Sequence, residues 1–347
     1  MSPGMRARRY ETPQTSASMI TKSIGAAPRP ACFLCGSPGR PAHTGLRDRL
    51  FGAPGEWDLD RCENRDCGLY WLNPTPATGD ISAAYESYYT HACAAVGDVN
   101  ARGRWEKLLR RLHEIILDLT SIARARRAAL DLYLHDARPG RVLDVGCGQG
   151  RQLLRLKAMG WEVEGQEIDP DAGAHHLADS DIRVYQAPLE DLHLAEGRYD
   201  AIVMNHVIEH AADPLALVRE CRRLLKREGQ LVVVTPNTGS LGHCLFGDHW
   251  RPLEPPRHLF LFSDRNLVEL SRQAGFSKAE VWTSAANAAG FVIESWNLLR
   301  HGTHRVGAAP SNMARLVGFG FLIAASIAIK AWPRSGEEAV LRAWKEK

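Results

Sequence analysis

The spacing of apolar residues divides the chain after residue 138 into alternating strand-length and helix-length segments. Short apolar runs bounded by glycine, proline or polar residues predict strands, and stretches with apolar residues every three or four positions predict helices. The predicted strands are 141–145, 162–167, 182–185, 199–204, 230–235, 278–283 and 337–344. Strands that alternate with helices favour a parallel sheet with helices on both faces, so the predicted fold class is α/β.

The segments around this alternating region follow other patterns. Residues 1–28 are polar with scattered basic residues and prolines, which predicts a disordered tail. Between 101 and 135, apolar residues repeat at helical spacing opposite an arginine-rich face. The predicted organisation is a tail (1–28), a cysteine-rich module (29–76), a helical linker or cap (77–137), the main domain (138–285), a helical insertion (286–335), and a last strand with the C-terminus (336–347).

The predicted insertion at 286–335 separates the last two predicted strands by about fifty residues. Its run 316–329 contains no charged residue over fourteen positions, whereas a helix that spans a bilayer needs about twenty. Three interpretations follow: a buried core helix, a lid over a binding site, or a hairpin in the membrane surface that presents an apolar or lipid-linked ligand. In the third, the arginine-rich face of 101–127 would favour anionic lipid.

Composition and charge narrow the class of protein. The 347 residues are 45% hydrophobic and 24% charged, as in a soluble protein with one large core and a small module. A formal charge of +3 is small, so no nucleic-acid partner is expected. The tail does not resemble a signal peptide, so we expect a cytoplasmic protein. If the insertion lies on lipid, the protein would be peripheral to the inner face of the membrane.

A glycine-rich turn follows the first strand of the main domain. Gly146, Gly148 and Gly150 occupy alternate positions, and a helix-period segment begins at once. Glycine there lets a ligand approach backbone N–H groups at a helix start, where partial positive charge favours an anionic group. The dinucleotide fingerprint would place a glycine at Arg151, so its spacing does not match. The turn predicts a nucleotide-type cofactor site, with Glu167 at the end of the next strand positioned for ribose hydroxyls.

Four of the eight cysteines are clustered near the start of the chain. Cys32 and Cys35 form one short turn, Cys62 and Cys67 form another, and a glycine follows each pair. Two such turns can supply four thiolates to a tetrahedral zinc ion. Four cysteines would leave no open coordination position, so the predicted zinc is structural. Free or disulfide-paired cysteines are the alternative.

Three later runs resemble successive blocks of the class I S-adenosylmethionine (SAM) methyltransferases. They are YDAIVMNHVIEHAADP at 199–214, RRLLKREGQLVVVTPN at 222–237 and HWRPLEPPRHLFLFSDRNLVELSRQAGF at 249–276. The run RCENRDCGLYWLNPTP at 61–76 is similar to the bacterial branch with a zinc ribbon before the catalytic domain. The resemblance implies a Rossmann-like, seven-stranded, mostly parallel sheet. It also implies methyl transfer from SAM to an O, N or C nucleophile of a small-molecule, sugar or lipid-linked acceptor.

The resemblance assigns roles to individual residues. The implied cofactor-binding set is Asp144, Gly146, Cys147, Gly148, Gly150, Glu167, Ile168, Leu189, Glu190 and Asn205. The glycine loop would cradle the methionine part of SAM, and Glu167 would bind the ribose. The adenine would lie against Ile168, with Leu189 and Glu190 closing that site. Asn205 would sit near the sulfonium.

Proton removal is the remaining requirement for an oxygen or carbon acceptor. Histidine is the natural base near neutral pH, and His206 and His258 are the predicted catalytic residues. For each of them, a structural role or a hydrogen bond to substrate is the alternative. Two alternative functions are also compatible with parts of the sequence: an NAD(P)-dependent oxidoreductase, and a zinc-ribbon binding protein without catalysis. The glycine spacing disfavours the first, and the mixed charge of 31–74 disfavours the second for nucleic acid.

Overall fold

The computed structural model of the protein describes residues 23–77, 79–85, 121–169, 172, 177 and 180–346. Within these residues it contains thirteen strands, arranged in a seven-stranded, a four-stranded and a two-stranded sheet. They are β1 (Ala26–Ala27), β2 (Gly39–Leu46), β3 (Trp57–Cys62), β4 (Tyr70–Leu72), β5 (Thr75–Pro76), β6 (Arg141–Val145), β7 (Glu162–Gln166), β8 (Arg183–Tyr185), β9 (Tyr199–Asn205), β10 (Leu225–Pro236), β11 (Phe260–Leu261), β12 (Lys278–Ser284) and β13 (Glu338–Trp344).

The seven-stranded sheet forms the centre of the molecule. Its strand order is β12-β13-β10-β9-β6-β7-β8. The five neighbouring strands β10, β9, β6, β7 and β8 are parallel, while β13 pairs antiparallel with both β10 and β12. The predicted α/β class and the mostly parallel seven-stranded sheet are therefore confirmed. The predicted and observed bounds differ most at β10, which the sequence predicts to begin at 230. In the structure Leu225 already pairs with Tyr199, and an irregularity separates this pair from the regular pairing that begins at Gln230.

Helices cover both faces of the central sheet. In the described residues they are α1 (Ser121–Leu130), α2 (Arg151–Ala158), α3 (Pro214–Leu224), α4 (Leu241–Phe246), α5 (Asp264–Gln273), α6 (Ala288–His301) and α7 (Asn312–Ala331). On β6, Leu143 belongs to one core cluster and Val142 to the other, because successive side chains point to opposite faces. Helix α3 begins where Asp213 accepts a hydrogen bond from the N–H of Ala216.

The cysteine-rich module is joined to the main domain by a shared sheet. Strands β2, β3 and β4 form an antiparallel meander, and β11 pairs with β4 through Phe260 and Trp71. The buried residues of the module lie in the same hydrophobic cluster as β6 and β9. Arg257 and Asp48, both fully buried, form an ion pair across the boundary at 2.9 Å. The module therefore packs as part of the main core.

The insertion is a pair of helices, α6 and α7, that contact each other along their lengths. The uncharged run 316–329 lies inside α7. At the start of the chain, Ala26 and Ala27, which the sequence assigns to the tail, pair with β5. Most of the predicted tail and of the linker 77–137, with its apolar stripe and arginine-rich face, lies outside the described residues.

Candidate active site

The glycine loop between β6 and α2 leaves open space at its centre. All three glycines have positive φ, +66° at Gly146, +50° at Gly148 and +75° at Gly150, which favours glycine at each. A Cβ on Gly146 would lie 2.6 Å from Val207, and one on Gly150 would lie 2.6 Å from Leu177. A Cβ on Gly148 would meet no described atom within 4 Å. The middle glycine thus forms an open cradle at the carboxyl edge of the sheet.

Glu167 links this loop to the end of β7. One carboxylate oxygen accepts a hydrogen bond from the N–H of Gly148 at 2.8 Å. The other oxygen accepts hydrogen bonds from the N–H groups of Ile168 and Asp169. The side chain of Ile168 is 65% exposed beside it, which is unusual for a large apolar residue. Burial, together with the charge of Glu167, raises the pKa of Asp144 to about 8.

These features fit a nucleoside cofactor of the SAM type. The cradle at Gly148 has no side chain to block approach, Glu167 offers a carboxylate, and Ile168 offers an open apolar surface. Two other members of the predicted set are less accessible, because Cys147 is 9% exposed and Leu189 is 2% exposed, each within a core cluster. Glu190 is exposed. The cofactor roles of all these residues stay predictions.

His206, directly after β9, lies between two buried carboxylates. Its Nδ1 lies 3.2 Å from Glu209 Oε1 and its Nε2 lies 2.9 Å from Glu338 Oε1. Although burial lowers it, the hydrogen bonds to these two carboxylates raise the pKa of His206 to about 10. At neutral pH the ring is therefore an imidazolium that donates both of its N–H groups. In this state it has no lone pair with which to act as the base that the sequence predicts, and its catalytic role stays a prediction.

A pocket of about 130 Å³ opens beside this group. The polar residues that line it are Arg126, Tyr133, Gln152, Asn205, Asn287 and Glu338. Glu338 is fully buried, and its Oε1 accepts hydrogen bonds from His206 and Asn287. Its Oε2 has no hydrogen-bond partner within the described part of the chain. A buried carboxylate oxygen of this kind is unfavourable unless a ligand or water donates to it.

His258 lies in a second buried network. One ligand atom each from Glu209, His210 and His258 lies within 4.8 Å of the others, and two imidazoles with a carboxylate suit a divalent transition metal. His258 is 2% exposed, and its Nδ1–H donates to the carbonyl of Pro252 at 2.6 Å. Burial lowers its pKa to about 4, so the ring is neutral. His258 does not line the pocket described above, and its role in proton transfer stays a prediction.

The four clustered cysteines come together as the sequence predicts. Their sulfur atoms all lie within 4.8 Å of one another, with Cys32 to Cys67 at 3.7 Å and Cys35 to Cys62 at 3.4 Å. A tetrahedral zinc with bonds of 2.3 Å separates its sulfur ligands by about 3.8 Å, so the four thiols fit this ion. Asn266 donates to the carbonyl of Cys67 at 2.7 Å, which ties the cluster to α5.

A Cys62→Ser variant is expected to lose zinc and to unfold at a lower temperature. The wild type should contain about one zinc per chain by elemental analysis, and the variant much less. Because the module shares its core with the main domain, we expect the whole chain to melt at least about 5 °C lower. Cys244→Ser, at an exposed cysteine outside the cluster, is the matched control. Wild-type protein without metal, when purified without chelators, would contradict the assignment.

Glu338 and Asn287 line the pocket but are not among the residues that the sequence predicts for the site. Asn287 precedes α6, and Glu338 opens β13, far from the recognised blocks. One signal was available: Glu338 opens a strand whose only other charged residue is Arg342, Glu337 directly precedes it, and both glutamates are fully buried. A carboxylate at such a position needs a partner, which points to a site.

Comparison with known proteins adds independent observations. Residues 110–281 match the family described as "Methyltransferase domain". Ubiquinone biosynthesis O-methyltransferase of Cereibacter sphaeroides is 32% identical over 152 residues, which cover 40% of this chain and 61% of the relative. The enzyme of the same name from Xanthomonas oryzae is 36% identical over 140 residues, which cover 38% of this chain and 53% of the relative. The matched region thus spans between about half and three-fifths of these curated relatives. The crystal structure of a SAM-dependent methyltransferase from Archaeoglobus fulgidus superposes with a TM-score of 0.43 at 19% sequence identity. The match covers 67% of this chain and 94% of that chain.

Proposed function

Because this chain carries a class I SAM-dependent methyltransferase domain, we propose that it transfers the SAM methyl group to a hydroxyl oxygen of a small-molecule acceptor. The domain argues against the two other functions considered above, an NAD(P)-dependent oxidoreductase and a binding protein without catalysis. The observation that carries the proposal is Glu338, which lines the pocket beside Asn205 and whose buried Oε2 has no hydrogen-bond partner within the described residues.

Glu338 is positioned to receive the proton of the acceptor. When bound, SAM would supply an electrophilic methyl carbon: an acceptor oxygen forms the new C–O bond as the C–S bond breaks, and S-adenosylhomocysteine leaves. A hydroxyl in the pocket would donate its hydrogen bond to Glu338 Oε2, the oxygen that has no described partner. As the oxygen becomes methylated, its proton passes to Oε2 and from there to solvent. A positioned carboxylate of this kind acts as a general base.

His206 and Glu209 hold the base in place. His206 donates to Glu338 Oε1, which fixes the carboxylate and leaves Oε2 as its unpartnered oxygen. Glu209 in turn accepts from His206 and from the hydroxyl of Thr235 at 3.0 Å. Although burial raises it, the hydrogen bond from His206 lowers the pKa of Glu209 to about 2. His206 is therefore a positioning residue that also balances two buried negative charges.

The carboxylate favours oxygen over nitrogen as the acceptor atom. A neutral amine already has a lone pair and needs no proton removed before attack, whereas a hydroxyl becomes a much better nucleophile as its proton leaves. The relatives named above are O-methyltransferases by name, which agrees with this choice. We therefore propose phenols as the first acceptors to examine, since their hydroxyl groups ionise near pH 10, far more readily than aliphatic alcohols.

Two measurements test the proposal on the purified full chain. Equilibrium binding should show that labelled SAM binds and NADH does not. Incubation with SAM and paired sets of phenols and matched anilines should then give methyl ethers, detected by mass spectrometry together with S-adenosylhomocysteine. Methylation confined to the anilines would contradict the oxygen acceptor, and binding of NADH without SAM would contradict the cofactor.

A further inference from the structure

The outward face of α7 is apolar along its whole length. Of its twenty residues, the buried ones are Gly318, Leu322 and Ala325, which lie on one face. The exposed apolar positions on the opposite face are Met313, Leu316, Val317, Gly320, Ala324, Ile327 and Ala331. A surface helix of a soluble protein carries polar residues on that face. A continuous apolar row of this kind marks a surface that contacts something other than water.

Helix α7 lies flat against the body of the protein. A Cβ on Gly318 would lie 2.7 Å from Ile293 of α6, and Leu322 and Ala325 pack with Ala285 and Ala288. The segments on either side of α7 are held to the same body. Before the helix, the backbone N–H of His304 donates to the carbonyl of Arg49; after it, the carbonyl of Pro333 accepts from the hydroxyl of Thr283.

This placement decides between two membrane geometries. By length and composition, α7 is the one helix of the described residues that could cross a bilayer, with a mean hydropathy of 1.7. A spanning helix would have to leave α6 and separate its two fixed ends. An in-plane helix keeps every observed contact and exposes its apolar row to the acyl chains.

The charged residues of the segment that carries the row are all basic, and one of them, Arg334, pairs with Asp264 of α5 at 3.0 Å. Between residues 295 and 334 the chain has no aspartate or glutamate. The basic residues of this stretch, all exposed, are Arg300, Arg305, Arg315, Lys330 and Arg334. Trp296 and Trp332 are 40% and 69% exposed at the margin of the row, where amphipathic aromatic rings suit a membrane interface. A second copy of the chain packed on this face would bring like charges together, whereas an anionic lipid surface would complement them.

We propose that the face formed by α6 and α7 binds the surface of an anionic phospholipid bilayer. In this arrangement α7 lies in the plane of the interface, its apolar row enters the boundary of the acyl chains, and the basic rim contacts lipid phosphates. The inference rests on the exposed residues of the hairpin and does not depend on the identity of the methyl acceptor.

Flotation of the full-length protein with liposomes tests the proposal. Wild type should float at low salt with phosphatidylcholine vesicles that contain roughly a third phosphatidylglycerol, and much less with pure phosphatidylcholine. A Leu316→Glu/Ile327→Glu variant should float at least about fivefold less. Both positions are more than 60% exposed, so the fold should persist, as circular dichroism can verify. Val268→Glu, at a half-exposed apolar residue of α5 away from the hairpin, should float like wild type.

A second variant separates charge from apolar contact. Arg315→Gln/Lys330→Gln should reduce flotation with anionic vesicles and leave the weak binding to neutral vesicles unchanged. Wild type that stays at the bottom with anionic vesicles would overturn the proposal. So would a dimer in analytical ultracentrifugation that dissociates in the Leu316→Glu/Ile327→Glu variant, because the face would then belong to a second copy.

Discussion

A Glu338→Gln variant is expected to lower kcat by about two to four orders of magnitude while SAM affinity stays close to that of wild type. Glutamine keeps the shape of the side chain but cannot take up the proton of a hydroxyl. Its amide can still pair with His206 or Asn287, so the pocket should keep its form. The measurement is single-turnover methylation of the best phenol found in the acceptor screen, with SAM binding followed by calorimetry.

Glu337→Gln is the matched control for this prediction. Glu337 is the neighbouring buried acid, but its carboxylate accepts from the N–H of Gly242 and faces Trp250, outside the pocket. Burial raises the pKa of Glu337 to about 7, so the amide resembles a form that is already populated at neutral pH. This variant should keep kcat within about threefold of wild type. Equal losses in both variants, or none in Glu338→Gln, would remove Glu338 from the chemistry.

The second large effect is expected for Gly148→Val, which should weaken SAM binding at least about 100-fold. The φ of +50° at this position is unfavourable for a β-branched residue, and the new methyl groups would project into the open cradle of the loop. The hydrogen bond from Gly148 to Glu167 would also be displaced, which would disturb the residue predicted to bind the ribose. Calorimetry with SAM on the folded variant measures the change.

Gly197→Val separates backbone strain from blockage of the ligand. Gly197 has a φ of +64°, and a Cβ added there would meet no described atom within 4 Å, as at Gly148. Gly197 precedes β9, however, and so lies at the amino ends of the parallel strands, whereas Gly148 lies at their carboxyl ends. The two variants should lose comparable stability, and SAM affinity should fall in Gly148→Val alone. A folded Gly148→Val protein with wild-type affinity would contradict the cofactor site.

Local patterns in the sequence predicted most of the fold. The strands of the central sheet are short, apolar and bounded by glycine or polar residues, so their positions could be read from neighbouring residues. The glycine loop and the two cysteine turns are also local, because turn chemistry and metal ligands depend on spacing over a few positions. The resemblance at 199–276 added the reaction class, which spacing alone does not provide.

Long-range packing determined what the sequence left open. Glu338 reaches His206 across 132 residues, and no local pattern indicates that pairing. The addition of β11 to the sheet of the cysteine-rich module likewise depends on a contact between distant segments. The uncharged run 316–329 located α7 but did not indicate which face packs on α6, because nearly every position of that helix is apolar. The usual pKa of histidine suggested His206 and His258 as bases, whereas in the folded protein carboxylate partners raise the pKa of His206 and burial lowers that of His258.

The position of β13 in the middle of the central sheet has a consequence for the order of folding. This strand pairs with β10 on one side and β12 on the other, yet it follows both of them and the entire hairpin in the chain. During synthesis, β10 and β12 must therefore wait as unpaired edges until residues 338–344 emerge from the ribosome. Unpaired edges invite aggregation, and closing such a long loop slows folding. Glu338 arrives with this strand, so the proposed catalytic pocket is completed only when the sheet closes.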